Sequence, residues 1–356
     1  MDLTRGPLYQ QIVDRISAQI ENGAYQAGDK LPSERALCDE FGVSQITVRR
    51  ALRELRHAGA VYSRHGLGWY VSDAPPSQAH PDLVLVLGDA DPLLDTMLPA
   101  CLTALAGEGL ATTVLACEQG DAARKKTLRV LEGLAPKAVL WGVAGPEEDL
   151  AQRYQSLVEA SDLPGLLAPR RVDGLALPAI VLDEGQGIAQ TTAHLIARGH
   201  RRLAYIGGDP SRADGWQRYW GFATTIFDAG LDLPLDWILA VPDGEPIDGP
   251  WLEQVFGGES NPTGLVCATD ALAAEAMQRL KELGHACPER VAIAGMGDDP
   301  LAAYLAPSLT TFRLDTAGWV QGVARAARAL LEGEAPEDAL FSGELVVRES
   351  CGTGAD

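Results

Sequence analysis

The sequence holds few of the motifs on which catalytic and metal chemistry depend. Its six cysteines, Cys38, Cys101, Cys117, Cys267, Cys287 and Cys351, form no CxxC pair and no cluster with histidine. Structural zinc and a disulfide framework are therefore not expected. There is no GxSxG, no Walker A sequence and no GxGxxG following a strand, so the common signatures of acyl and phosphoryl transfer and of dinucleotide binding are missing. His194 and His200 lie in a helix-to-turn stretch without a nearby nucleophile or a ligand set. An enzyme, a resident cofactor and a metal are all disfavoured. Long apolar runs are also absent: no 18-residue span could cross a bilayer, and residues 1–30 lack the apolar stretch of a secretory leader. These absences point to a chain that works in the cytoplasm.

Positive charge is scarce overall, with 29 Lys and Arg against 49 Asp and Glu and a net charge of −20. The deficit is unevenly placed. Residues 1–72 hold nine basic and eight acidic side chains, whereas the remaining residues hold 20 and 41. The N-terminal part is thus free to carry a basic face, and local charge, not whole-chain charge, makes phosphate contacts.

Such a face is visible between Leu31 and Leu55. Pro32 and Ser33 start a helix, Glu34 complements its dipole, and Gly42 ends it. Ser44 begins a second helix with Val48, Ala51, Leu52 and Leu55 on one stripe and Gln45, Thr47, Arg49, Arg50, Arg53 and Arg56 on the other. Two short helices around a glycine turn form the helix-turn-helix pattern, whose second helix presents its first turns to base edges. A helical hairpin with a solvated basic face is the plainer alternative. The flanks favour the former: Pro7–Asn22 predicts a preceding amphipathic helix, and residues 61–71 predict two strands around a glycine-containing turn. Together these make a winged helix-turn-helix.

The segments LYQQIVDRI, GDKLPSERAL, FGVSQITVRRAL and GLGWYV resemble the GntR-type DNA-binding domain over about the first 72 residues. The resemblance implies DNA contacts from Arg35, Ser44, Gln45, Thr47, Arg49, His65 and Gly66, with Arg50 on the same polar face. Position 45 departs from the family, where arginine is common. Arginine pairs with guanine and glutamine with adenine.

Residues 73–81 are proline-rich and polar and read as a linker between a domain of residues 1–72 and one of residues 82–350. Beyond it, short apolar runs at Leu83–Leu87, Thr113–Ala116, Ala138–Trp141, Gly165–Leu167, Ile180–Leu182, Leu203–Ile206, Ile238–Val241, Gly264–Cys267 and Val291–Ala294 alternate with amphipathic stretches. This alternation predicts an α/β architecture with two parallel sheets covered by helices, in two lobes with a cleft between them.

Residues 193–208 (AHLIARGHRRLAYIGG), RYWGF at 218–222, CATDALA at 267–273, LTT at 309–311 and LVVRES at 345–350 resemble the LacI/GalR-type effector domain. That resemblance implies a periplasmic-binding-protein fold with chain crossovers near Leu182, Thr311–Leu314 and Phe341–Leu345, homodimers, and a small polar effector such as a sugar. A GntR-type winged helix on such a domain resembles the arabinose-repressor type of chimeric regulator. The expected function is a ligand-responsive repressor that binds operator DNA without any membrane association. A small-molecule-binding module or a sugar-processing enzyme is the alternative.

For the effector, the resemblance implies Arg218 first, whose guanidinium suits hydroxyls or an anion. Asp183 and Asp270 follow strand ends, where each could instead cap a helix. Asp91-Pro92 reads equally as a ligand position or a turn. Trp216 and Trp220 could stack on a ring or enter the core. Relatives usually carry an aspartate where Gly297 stands here, leaving Asp298 as its possible substitute.

If Gln45 reads a base edge, Gln45→Arg shifts the preferred operator base more than it changes total affinity. Binding measured on operator variants checks this, and an equal loss on every sequence would assign the residue to phosphate alone.

Overall fold

The computed structural model describes residues 8–352 except 27, 58–59, 65–67, 72–79, 89–91, 118–119, 146, 243 and 259–260. The predicted linker therefore lies almost wholly outside the described residues. The chain divides into two compact units, with the break between Asp82 and Leu83.

In the N-terminal unit, α1 (Leu8–Glu21), α2 (Glu34–Phe41) and α3 (Gln45–His57) precede the hairpin strands β1 (Val61–Arg64) and β2 (Gly68–Val71). Local chemistry sets the boundaries. The Ser33 side chain accepts from the Ala36 amide, and Gly42 takes a φ of 61° that lets its own N–H close onto Cys38. The stripe read from α3 is buried: Val48, Ala51, Leu52 and Leu55 meet Ile12 and Ile16 of α1, Leu37 of α2, and Val61 and Val71 of the hairpin. One feature exceeds the sequence reading. The segment before α2 pairs with the wing, since the amides of Gly28 and Leu31 donate to the carbonyls of Val71 and Trp69. The wing is thereby tied to the start of α2.

The second unit has two lobes. The first is a parallel sheet ordered β4-β3-β5-β6, built from β3 (Leu83–Leu87), β4 (Thr112–Ala116), β5 (Ala138–Gly142) and β6 (Gly165–Ala168), with α4 (Pro92–Gly107), α5 (Asp121–Leu134) and α6 (Glu147–Ser161) between the strands. Near-continuous apolar strands, buried along β5 and β6, are what a sheet covered on both faces requires. Strand β7 (Ile180–Leu182) then carries the chain to the second lobe.

That lobe contains α7 (Glu184–Ala197), β8 (Leu203–Gly207), α8 (Ala213–Asp228), β9 (Ile238–Ala240), α9 (Gly249–Phe256), β10 (Gly264–Cys267), α10 (Asp270–Glu282), β11 (Ala292–Met296) and β12 (Thr310–Leu314). Helix α11 (Thr316–Leu331) returns to pack on α4 and β7, and its Trp319 indole donates to the Ile180 carbonyl at 2.8 Å. Strand β13 (Ala339–Phe341) pairs with β7, and β14 (Gly343–Val346) pairs with β12. The chain thus passes between lobes three times, after Leu182, after Leu314 and after Phe341. The second sheet runs β14-β12-β11-β10-β8-β9. All its pairs are parallel except β12–β14, because β14 enters directly from the neighbouring crossover and runs back along the edge.

Helices α7 and α8 approach closely enough to require glycine. A Cβ at Gly221 would lie 2.1 Å from the Gly185 carbonyl oxygen. Gly221→Ala is therefore expected to force the two helices apart and destabilise this unit by about 1–3 kcal/mol, measurable as a fall in thermal midpoint without loss of the winged-helix signal.

Candidate DNA interface and effector cleft

On the N-terminal unit, α3 exposes Gln45 and Arg49, and Arg35 stands exposed on α2. Ser44 and Thr47 bind each other, with their side-chain oxygens 2.9 Å apart. The Arg50 guanidinium lies over the Tyr9 ring at 3.9 Å, which fastens it to α1. His65 and Gly66 lie outside the described residues.

Sequence reading assigned Glu34 only to the helix dipole, yet it is the hub of this surface. Its Oε2 accepts from Gln45 Nε2 at 3.1 Å and from Arg49 Nε at 2.9 Å, and the Trp69 side chain on the wing also hydrogen-bonds to it. Partial burial raises its pKa, but the bonds from Arg49 and Gln45 outweigh this and hold the carboxyl below its usual range. Nothing in the local pattern announces this role, because the partners are 11 and 15 residues away.

In the second unit, a cavity of about 620 Å³ opens beyond the carboxyl ends of the second sheet. Gly208 follows β8, Val241 follows β9, Thr269 follows β10, Met296 ends β11, and Leu314 ends β12. This is where ligands of parallel α/β sheets bind. Asp214 and Arg218 on α8 complete one wall. An adjoining trough of about 1220 Å³ shares Thr269, Met296 and Gly297 and reaches α4 and α11 of the first lobe.

Arg218 is held from below. Its Nε donates to Glu184 Oε1 at 3.1 Å and its Nη2 bonds to the same oxygen. Arg170, in the segment after β6, donates from Nη2 to Glu184 Oε2 at 2.6 Å and from Nη1 to the Val143 carbonyl at 3.1 Å. Arg170 and Glu184 are each only 1% exposed. One carboxylate at the first turn of α7 therefore joins an arginine of the first lobe to an arginine of the second. Glu184, Arg170, Asp214 and Thr269 were not singled out from sequence. Glu184 in particular looks there like an ordinary first-turn acid.

The other candidates separate. Asp270 lines the trough, where its carboxylate accepts from Thr311 Oγ1 at 2.5 Å and from the Asp299 amide at 2.7 Å. Thr269, not Asp270, caps α10. Burial raises the Asp270 pKa against the effect of those two bonds. Asp298 also lines the trough, but its carboxylate accepts from Arg313 Nε at 2.7 Å and Arg348 Nη2 at 2.6 Å. Those arginines outweigh burial and keep its pKa low. Gly297 has a φ of 132°, and a Cβ there would lie 3.6 Å from Asp270 Oδ2. The missing side chain leaves open space beside that carboxylate. Asp183 caps α7 by accepting from the Gln186 amide at 2.9 Å. With Trp216 and Trp220 it lines a separate groove of about 460 Å³ that does not include Arg218. The two indoles stack at 5.3 Å and are 38% and 54% exposed, so they are surface residues and not core. Asp91 lies outside the described residues.

Glu184→Gln strips the charge shared by the buried Arg170 and the partly buried Arg218. The expected loss is about 3–5 kcal/mol of stability, the cost of leaving a buried ion without its partner, and chemical denaturation measures it.

Residues 8–71 match the gntR family of bacterial regulatory proteins, and residues 192–351 match the periplasmic binding protein-like domain. The arabinose metabolism transcriptional repressor of Geobacillus stearothermophilus is 24% identical over 97% of both chains. The GalR regulator of Salmonella typhimurium strain LT2 is 29% identical over 88% of this chain and 94% of its own. The crystal structure of the Escherichia coli transcriptional repressor ascG covers 75% of this chain and 98% of that one, with a TM-score of 0.63 at 22% identity. The chain therefore joins a segment matched by the gntR family of bacterial regulatory proteins to one matched by a periplasmic binding protein-like domain, and the two lobes of its second unit share the fold of the ascG structure.

Proposed function

We propose that this protein is a cytoplasmic, homodimeric repressor whose grip on operator DNA is changed by a small sugar-like effector. The observation that carries the reading is the pairing of two features in one chain. A recognition helix exposes Gln45 and Arg49, and a cavity at the carboxyl ends of five strands is walled by an arginine fixed through Glu184. The relatives are regulators, and the expected work is binding, not turnover.

On the DNA side, Arg35, Ser44, Gln45, Thr47, Arg49, Arg50, His65 and Gly66 form the contact set. Gln45 and Arg49 face bases, and the other basic groups face phosphates. On the effector side, Arg218 is the principal polar anchor and Asp270 a second, across the space left by Gly297. Asp298, Asp183, Trp216, Trp220 and Asp91 rank behind them, because Arg313 and Arg348 already neutralise Asp298, and Asp183, Trp216 and Trp220 line a different groove.

Two winged helices in a dimer must match the spacing of two operator half-sites. Effector closure of the cleft moves one lobe against the other through the three crossovers, and that motion changes the spacing. A hundredfold change in DNA affinity requires the effector to discriminate between the two dimer geometries by about 2.7 kcal/mol.

Gel shifts on the promoter upstream of its own gene test the first half, with Arg49→Ala expected to abolish a specific complex. A thermal-shift screen of the protein against arabinose, galactose and other small sugars tests the second. A binding sugar raises the melting temperature by mass action, and Arg218→Ala removes the rise. Turnover of a sugar without any DNA complex would overturn the reading.

A further inference from the structure

We propose that Glu34 is the residue that sets the base preference of the recognition helix, by fixing which edges of Gln45 and Arg49 face the DNA. The inference rests on the DNA-reading role argued above and adds to it a residue that need not touch a base itself.

A glutamine amide has two N–H donors and one carbonyl acceptor. Here Nε2 commits one donor to Glu34 Oε2 at 3.1 Å. The remaining N–H and the carbonyl oxygen then form a donor–acceptor pair, which is the pattern that matches N7 and the N6 amino group of adenine. Without Glu34 the amide could turn over by 180° and offer its groups in the opposite order.

Arg49 is constrained in the same way. Its Nε donates to the same Glu34 oxygen at 2.9 Å, which turns that edge of the guanidinium away from solvent. The two Nη groups are left as a planar fork, able to engage O6 and N7 of guanine together. The arginine side chain is 58% exposed while that of Glu34 is 26% exposed, so the carboxylate sits behind the group it aims.

A third contact gives the brace its stiffness. The Trp69 side chain of the wing bonds to Glu34, and the wing is itself laced to the segment before α2 through Leu31 and Trp69. The carboxylate therefore stands where α2, α3 and the wing meet. Orientation at that point limits rotamer freedom before DNA arrives, which lowers the ordering cost of binding.

The test uses the full-length protein and a randomised DNA duplex library. Wild-type protein selects a preferred sequence, and affinities are then measured for single-base variants and for unselected duplex at several salt concentrations. In Glu34→Ala and in the isosteric Glu34→Gln, the preference at the bases read by positions 45 and 49 should fall about tenfold or more, the discrimination that one bidentate base contact carries. Affinity for unselected duplex should stay the same or rise, since a negative charge leaves the DNA-facing surface, and the salt slope should not fall. Gln45→Ala should cost preference in the wild-type background and little more in Glu34→Ala. Unchanged preference in both variants overturns the proposal. So does an equal loss on selected and unselected DNA with a lowered melting temperature, which would make Glu34 a structural brace only. If wild-type protein selects no sequence, the DNA-reading role itself falls.

Discussion

The ion cluster of Arg170, Glu184 and Arg218 is the constraint on which the two-lobed unit turns. Burying one carboxylate between two guanidinium groups is unfavourable unless each charge is matched at close range. Here the match can be made only if the segment after β6, the first turn of α7 and the middle of α8 come together at the first crossover. The cluster therefore specifies how the two lobes are joined at that point. It also sets the direction of Arg218, whose guanidinium borders the cavity at the ends of β8 to β12. Close packing of α7 on α8, through Gly185 and Gly221, holds the same geometry from behind.

The N-terminal unit uses the same device at lower cost. Glu34 gathers Gln45, Arg49 and Trp69, but does so at a half-exposed surface where water screens the charges. In both units a glutamate on the first turn of a helix orients longer side chains from other elements. In one it is sealed in a hinge region, where removing its charge is costly. In the other it stands at a partly exposed face, where its bonds can be reorganised.

Much of the fold was legible because its signals are local. The helix-turn-helix announces itself through Ser33, Gly42 and the stripe Val48, Ala51, Leu52 and Leu55, and these residues cap, end and bury their helices as read. Nine apolar runs coincide with strands to within a residue or two, because strands covered on both faces cannot tolerate polar side chains. The antiparallel course of β14 and the pairing of residues 28–31 with the wing were not legible, since both depend on which strand edge the chain happens to pass. The effector candidates illustrate the same limit. Arg218 and Asp270 lie on the cavity and its adjoining trough, yet Asp183, Trp216 and Trp220 face a different groove, and the Asp298 carboxylate is held by Arg313 and Arg348.

By itself, then, the sequence determined the order of elements, the change of pattern near residue 82 and the uneven split of charge between the two parts of the chain. Periodicity, caps and charge placement act over a few residues and survive without knowledge of the rest. Only the tertiary structure decided what Glu34 and Glu184 do. Their partners lie 11 to 35 residues away along the chain, and a carboxylate reveals its role only when folding shows which donors surround it and how much water is left.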